Sequence, residues 1–169
     1  MGAGLPAGFR ASGVACGLKP SGAPDLGLLV SNAPETVSAA RFTRSGVLAA
    51  PVLLTQERCE LAGIRAVVAN SGNANAATGR RGLEDAARMQ GAGAMVAGVP
   101  EDRVAIASTG VIGVPLDTEK VIRGMASARA ELTADGDEAF TAAISTTDRF
   151  PKRATLEVAL PSGTVRLAA

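Results

Sequence analysis

Eight residues, Ile106 to Gly113 (IASTGVIG), hold the arrangement with the most chemistry to offer in this chain. The apolar β-type run Val104-Ala105-Ile106-Ala107 gives way abruptly to Ser108-Thr109-Gly110. Two apolar residues, a second glycine at Gly113, and then Pro115 follow. A strand that ends in Ser-Thr-Gly and turns toward a helix leaves backbone N–H groups and hydroxyls without ladder partners. Donors so placed stabilise an anion, including the oxyanion that forms in acyl transfer. The structural alternative is a strand–turn–helix corner in which glycine supplies an unusual backbone angle. These eight residues alone do not choose between the two.

Two other groups carry polar side chains at turns. Asn70 to Gly79 (NSGNANAATG) sets three Asn, one Ser and one Thr between a strand-like run and a helix-like one. It reads either as a ligand-facing loop or as a connector whose Asn side chains satisfy their own backbone. It lacks the Gly-Lys-Ser/Thr of a phosphate-binding P-loop and the glycine spacing of a dinucleotide fingerprint. Thr146-Thr147-Asp148 lies at a helix end, close to Pro151-Lys152. A Thr hydroxyl there reads either as a substrate contact or as part of a polar helix terminus, whereas Lys152 reads as a solvated point charge.

Composition removes several classes of function. The 169 residues contain no His, so the chain by itself holds no Ser-His-Asp or Cys-His arrangement and lacks the commonest metal ligand; no metal site is expected. Net charge is +1 with scattered basic residues, and there are four Phe but no Tyr or Trp. That composition argues against nucleic acid as a partner. Cys16 and Cys59 are far apart and read as buried thiols of a reducing compartment. No apolar run approaches the ~18 residues of a membrane span, and the first ten residues lack a signal-peptide layout. No membrane association and a cytoplasmic location are therefore expected.

The elements that must position these groups follow from periodicity. Residues 1–60 hold short apolar runs between Gly, Pro and Asn turns: Phe9 to Leu18, Asp25 to Ser31, Val37 to Thr43, and Val47 to Leu54 interrupted by Pro51. Phe9 to Leu18 alternates only loosely; the other three read as short strands of an antiparallel or mixed sheet, with Pro51 at an edge or strand end. Residues 61–133 alternate differently. A strand over Ile64 to Asn70 leads to a helix with Leu83, Ala86, Ala87, Ala94 and Val96 on one face, weakened by Gly91 and Gly93. The strand Val104 to Ala107 follows, then a helix capped by Asp117 or Thr118. That alternation marks an α/β layer. Asp135 and Glu138 form a capping-box-like start to a third helix bearing Ala139, Phe140, Ala143 and Ile144. Leu156, Val158 and Leu160, then Val165 and Leu167, alternate as a half-buried hairpin. The expectation is a single α/β domain over 1–169. Its end within a strand suggests a fragment or a processed subunit.

Four strings together are similar to one family. LKPSGAPDLGLLVSN over 18–32, NSGNANAATG, STGVIG and TTDRFPK over 146–152 occur in the order and at the separations of the bifunctional ornithine acetyltransferase / N-acetylglutamate synthase (ArgJ) family of arginine biosynthesis. The resemblance implies a precursor that cleaves itself autocatalytically before a threonine. This threonine becomes the first residue of a β chain and the nucleophile. It takes an acetyl group from N-acetylornithine as an acyl-enzyme and passes it to glutamate. The resemblance also implies a layered α/β sandwich with a mixed sheet, like ArgJ and DmpA, completed by the β chain in an α2β2 heterotetramer. The present chain resembles the α chain. The family's oxyanion-stabilising pair falls on Thr109 and Gly110 and its substrate-contacting threonine on Thr146. The nucleophile and a substrate-binding lysine fall beyond Ala169. No cofactor is implied, and acetyl-CoA enters only as a co-substrate of some members. An N-terminal threonine uses its own amine as base, so the absence of His is no obstacle.

The sequence departs from the family pattern at Arg41, at Ser145 before the Thr pair, and at Arg149-Phe150 before Pro151-Lys152. Three other readings stay open at this point: a paralogous acetyltransferase of secondary metabolism, a non-catalytic binding or structural module, and a nucleotide-binding domain using the Asn70–Gly79 loop.

Overall fold

The computed structural model describes residues 4–169. In chain order it contains β1 (Phe9–Val14), β2 (Leu26–Ser31), α1 (Ala50–Arg58), β3 (Ala66–Asn73), α2 (Gly79–Ala97), a 3-10 turn at Glu101–Arg103, β4 (Val104–Val111), α3 (Thr118–Ala130), α4 (Asp137–Ile144), β5 (Thr155–Leu160) and β6 (Gly163–Ala168). Strands β1 to β4 form one sheet in that order. β1–β2 and β2–β3 are antiparallel and β3–β4 is parallel, with α2 as the crossover. The sheet is mixed and carries helices on both faces, the layered α/β architecture expected from the sequence.

Side-chain alternation divides the two faces. Leu26, Leu28 and Val30 of β2, Val68 of β3, and Val104 and Ile106 of β4 face one way. They pack with Leu54 of α1, Ala86 and Met89 of α2, and Val121 and Met125 of α3. Each buried Leu, Val or Met side chain contributes about 1.5–3 kcal/mol. On the other face, α4 lies across β1 and β2 at the paired glycines Gly13 and Gly27. A Cβ on Gly13 would collide with the Ala139 carbonyl, and one on Gly27 would come 2.9 Å from the Phe140 ring. Glycine is required there because helix and sheet backbones nearly touch.

Several expectations are corrected. Val37 to Thr43 has no regular secondary structure and belongs to no ladder, and Val37 is 89% exposed. Ser38 pins it: its N–H donates to the Ala62 carbonyl, and its hydroxyl donates to the Leu61 carbonyl and accepts from Ile64 N–H. Val47 to Leu54 is largely helical, because Pro51 sits in the first turn of α1, where a missing N–H costs nothing. α2 runs 19 residues without interruption. Gly93 is accommodated because a Cβ there would meet Val68 Cγ2 at 2.6 Å. Asp117 caps α3 as expected, accepting from Lys120 N–H. The Asp135/Glu138 capping box does not form: α4 starts at Asp137 behind Gly136, with no side-chain cap. The hairpin forms, but its apolar face is open rather than half-buried, with Leu156 at 58% and Leu167 at 51% exposure. Among the described residues no helix is long and apolar enough to cross a membrane.

Candidate active site

The strand expected to break at Ser108 instead continues through Ser108, Thr109 and Gly110 to Val111, and the turn falls at 112–114. That extension decides what the corner presents. In a parallel strand, alternate residues direct both N–H and C=O toward one neighbour. The Arg103 carbonyl accepts from Arg65 N–H, and the Val111 carbonyl accepts from Ala74 N–H. Odd-numbered β4 residues therefore bond to β3, and even-numbered ones face the outer edge. Helix α1 and Gln90 of α2 cover the first part of that edge. Thr55 Oγ1 accepts from Ile106 N–H at 3.2 Å, and Cys59 Sγ and Gln90 Nε2 donate to the Val104 carbonyl. Among the described residues no side chain bonds to that edge beyond Ile106, where Ser108 is half-buried and Gly110 exposed.

Gly110 is held by geometry no other residue fits. Its φ is +134°. A Cβ there would lie 2.6 Å from Asn73 N and 2.7 Å from the Gly72 carbonyl oxygen. Thr109 and Gly110 are exposed, and the Thr109 hydroxyl has no partner among the described residues. Thr109 pairs with Ser71 across the β3–β4 ladder, so the two side chains share the α4 face of the sheet. Ser71 Oγ donates to the Ala143 carbonyl near the end of α4.

The Asn70–Gly79 loop braces this corner. Ser108 Oγ donates to Asn70 Oδ1 at 2.6 Å, and Asn70 Nδ2 donates to the Asn73 carbonyl. Asn73 Nδ2 donates to the carbonyls of Val114 (3.0 Å) and Pro115 (3.3 Å). Asn75 Nδ2 donates to the Gly82 carbonyl, while its Oδ1 accepts from Thr78 Oγ1. Asn70, Asn73 and Asn75 are all buried. Their amides are committed to the backbone, which is the connector reading of the loop and leaves no amide facing a ligand.

Thr146 is exposed in the irregular stretch after α4. Asp148 binds Lys152 and accepts from Thr146 N–H; the Lys152 ammonium holds its carboxyl below the usual range. Lys152 is thus exposed, as expected, but paired with Asp148 and not free in solvent. Cavities of about 520 Å³ between α4 and the hairpin and about 550 Å³ between the starts of α2 and α3 are lined by other residues, and Thr109, Gly110 and Thr146 are each exposed.

The sequence reading passed over Asp25 and Lys19. Asp25 is wholly buried between β1 and β2. Its carboxylate accepts from the backbone N–H groups of Cys16 (2.6 Å), Leu18 (2.6 Å) and Lys19 (2.8 Å). Burial opposes its ionisation, yet these donors and the Cys16 thiol together hold the carboxyl below its ordinary value. Burial, then the hydrogen bond and charge of Asp25, push the Cys16 thiol up to about 12. The turn string Lys-Pro-Ser-Gly followed by Asp25 was the available signal, since a buried Asp after a turn commonly gathers loop amides.

A model of the ArgJ family matches residues 10–169. The chain belongs to the ArgJ family. Similar relatives include the arginine biosynthesis bifunctional protein ArgJ of Symbiobacterium thermophilum, 44% identical over 166 residues, which cover 97% of this chain and 41% of that protein. The ArgJ of Geobacter sulfurreducens is 48% identical over 145 residues, covering 86% and 37%. The chain therefore spans about two-fifths of the length of the curated relatives it matches. Among solved structures, Bacillus halodurans ArgJ superposes with a TM-score of 0.88 at 39% identity, over 96% of this chain and 85% of that one. The ornithine acetyltransferase of Mycobacterium tuberculosis, solved with ornithine, gives 0.87 at 38% identity, over 97% and 88%.

Proposed function

We propose that this chain is the α-chain portion of a self-cleaving acetyltransferase that moves an acetyl group from N-acetylornithine to glutamate, and that it supplies the oxyanion hole. The observation that carries this reading is the open β4 edge at Gly110, with the unengaged Thr109 hydroxyl beside it. In the reaction, the hydroxyl of the β chain's first threonine attacks the acetyl carbonyl and gives its proton to the threonine's own amine. The carbonyl oxygen becomes an oxyanion held by the Thr109 hydroxyl and the Gly110 N–H. The C–N bond breaks, the proton passes to the departing ornithine amine, and an acetyl ester remains. Glutamate's amine then attacks the ester, and the threonine hydroxyl is restored. Thr146 positions the amino-acid part of the substrate. Acetyl-CoA enters only as an alternative donor.

Two further observations support a two-chain enzyme. The solved ArgJ chains are matched over 85% and 88% of their length, against 41% of a full-length relative, which fits a precursor divided in two. Val111, Ile112 and Val114 are exposed at the end of the bare β4 edge, which suits a covering polypeptide. The nucleotide-binding alternative loses its basis, because the loop's Asn side chains are consumed internally. The test is mass spectrometry of the full-length protein after exposure to N-acetylornithine. An acetyl group on the first threonine of the downstream chain is expected. Acetylation of the 1–169 portion, or no adduct under turnover conditions, contradicts the assignment.

A further inference from the structure

We propose that Lys19 is a positioning residue that sets where Thr146 stands relative to the Thr109–Gly110 corner. The inference rests on the reading of that corner as an oxyanion hole with Thr146 beside it. Lys19 belongs to neither group in sequence, yet its half-buried side chain spans the gap between them.

Its base is fixed. The Lys19 N–H donates to Asp25 Oδ2 at 2.8 Å, and the same oxygen takes the Leu18 N–H at 2.6 Å. The loop between β1 and β2 thus leaves Lys19 little backbone freedom, although Pro20-Ser21-Gly22 follows directly. Its stem then crosses the end of β3. A Cβ on Gly72 would find Lys19 Cγ and the Leu18 carbonyl at 3.3 Å, and Gly72 is the ladder partner of Gly110. The ammonium reaches the far side, donating to the Pro24 carbonyl at 2.7 Å and the Ser145 carbonyl at 2.8 Å.

Ser145 is the C-cap of α4, and its carbonyl lies on the peptide bond that leads into Thr146. A cation at a helix C-terminus is favoured by the exposed carbonyls and the dipole. Here it has a second consequence. From Ser145 to Pro151 the chain has neither helix nor strand, so its course depends on such single contacts. The helix itself does not depend on Lys19. Ser71 Oγ holds the Ala143 carbonyl, and the Gly13–Gly27 surface seats Ala139 and Phe140. Ser145 stays tied to the Thr141 carbonyl by its own N–H and hydroxyl, so loss of the ammonium frees the peptide that leads into Thr146 and leaves the helix in place.

The test uses the full-length, processed enzyme and compares Lys19→Met, Lys19→Arg, Thr146→Ala and the double variant Lys19→Met/Thr146→Ala. Steady-state kinetics in N-acetylornithine and thermal unfolding are the readouts. Lys19→Met keeps the stem over Gly72 and removes both ammonium contacts. It should raise KM about tenfold, the scale of one lost charge-assisted hydrogen bond, with little change in kcat or Tm. Lys19→Arg should recover most of the loss. In the Thr146→Ala background, Lys19→Met should add nothing, because its effect runs through Thr146. Additive KM effects in the double variant, or a fall in Tm without a change in KM, overturn the proposal. If Thr146→Ala raises KM and Lys19→Met does not, Lys19 is excluded while the reading of the site stands. If Thr146→Ala has no effect, the assignment of Thr146 fails and this inference fails with it.

Discussion

Gly110 concentrates the demands of the site in one residue. Its φ of +134° and the backbone of Gly72 and Asn73 beside it leave no volume for a side chain. Gly110→Ala must push β4 away from β3 at the corner proposed to hold the oxyanion. The expected outcome is a loss of kcat at least as large as that from removing one donor, about 10² to 10³, while far-ultraviolet circular dichroism of the full-length protein stays near wild type. Near-wild-type kcat would show that the corner tolerates displacement. Asp25 is the second residue on which local geometry hangs. Its carboxyl is held below its ordinary value of 3.8, so its ionised form stabilises the fold. The sign follows from linkage: the contribution is complete above 3.8 and is lost as pH falls through the lower folded value. In urea unfolding of the full-length protein, Asp25→Asn should cost about 1.5–3 kcal/mol near neutrality. The gap to wild type should narrow as the pH drops below the ordinary carboxylate range. A gap that stays constant into acid would mean that the charge of Asp25 contributes nothing.

At the scale of elements, β4 shows how far local pattern goes. Val104 to Ala107 reads as a strand because it is continuously apolar. Ser108 to Gly110 reads as a break because small polar residues and glycine usually end strands. The strand continues because Asn70, Asn73 and Ala74 on its neighbour supply the bonds that hold it, a long-range cause that eight residues cannot display. The same holds for Asn70 to Gly79: its composition suits a ligand loop and a connector equally, and only burial of the three Asn side chains separates them. Pro51 misleads for a different reason. It disfavours a central strand and favours a first helical turn, and the surrounding Val and Leu fit either element. The Asp117 cap of α3 and the strand over Asp25 to Ser31 were legible because one local rule suffices for each. The capping box before α4 was not, since Gly136 packs so close to the Ala11 carbonyl that no Cβ fits, a demand set by β1 and not by the local sequence. Thr109, Gly110 and Thr146 were reached through motif resemblance. Lys19 was missed because its role lies in a contact 126 residues along the chain, and Asp25 because a carboxylate that gathers loop amides leaves no periodicity to read.

For the whole molecule, the surfaces left open matter as much as the core. Ile112 is 67% exposed at the end of an edge strand, and the hairpin shows Leu156, Leu160 and Leu167 on one face. If the downstream chain covers the β4 edge, Ile112→Asp in the full-length protein should weaken association of the two chains. Size-exclusion chromatography would then show dissociation on dilution that wild type resists. Unaltered association would place the interface elsewhere. The catalytic assignment is reached most directly by steady-state kinetics of Thr109→Ala in the full-length enzyme, with N-acetylornithine as donor and glutamate as acceptor. A kcat lower by about 10² to 10³, with KM little changed, is expected of a group that engages only the developing oxyanion. A kcat equal to wild type would contradict the oxyanion role of this corner.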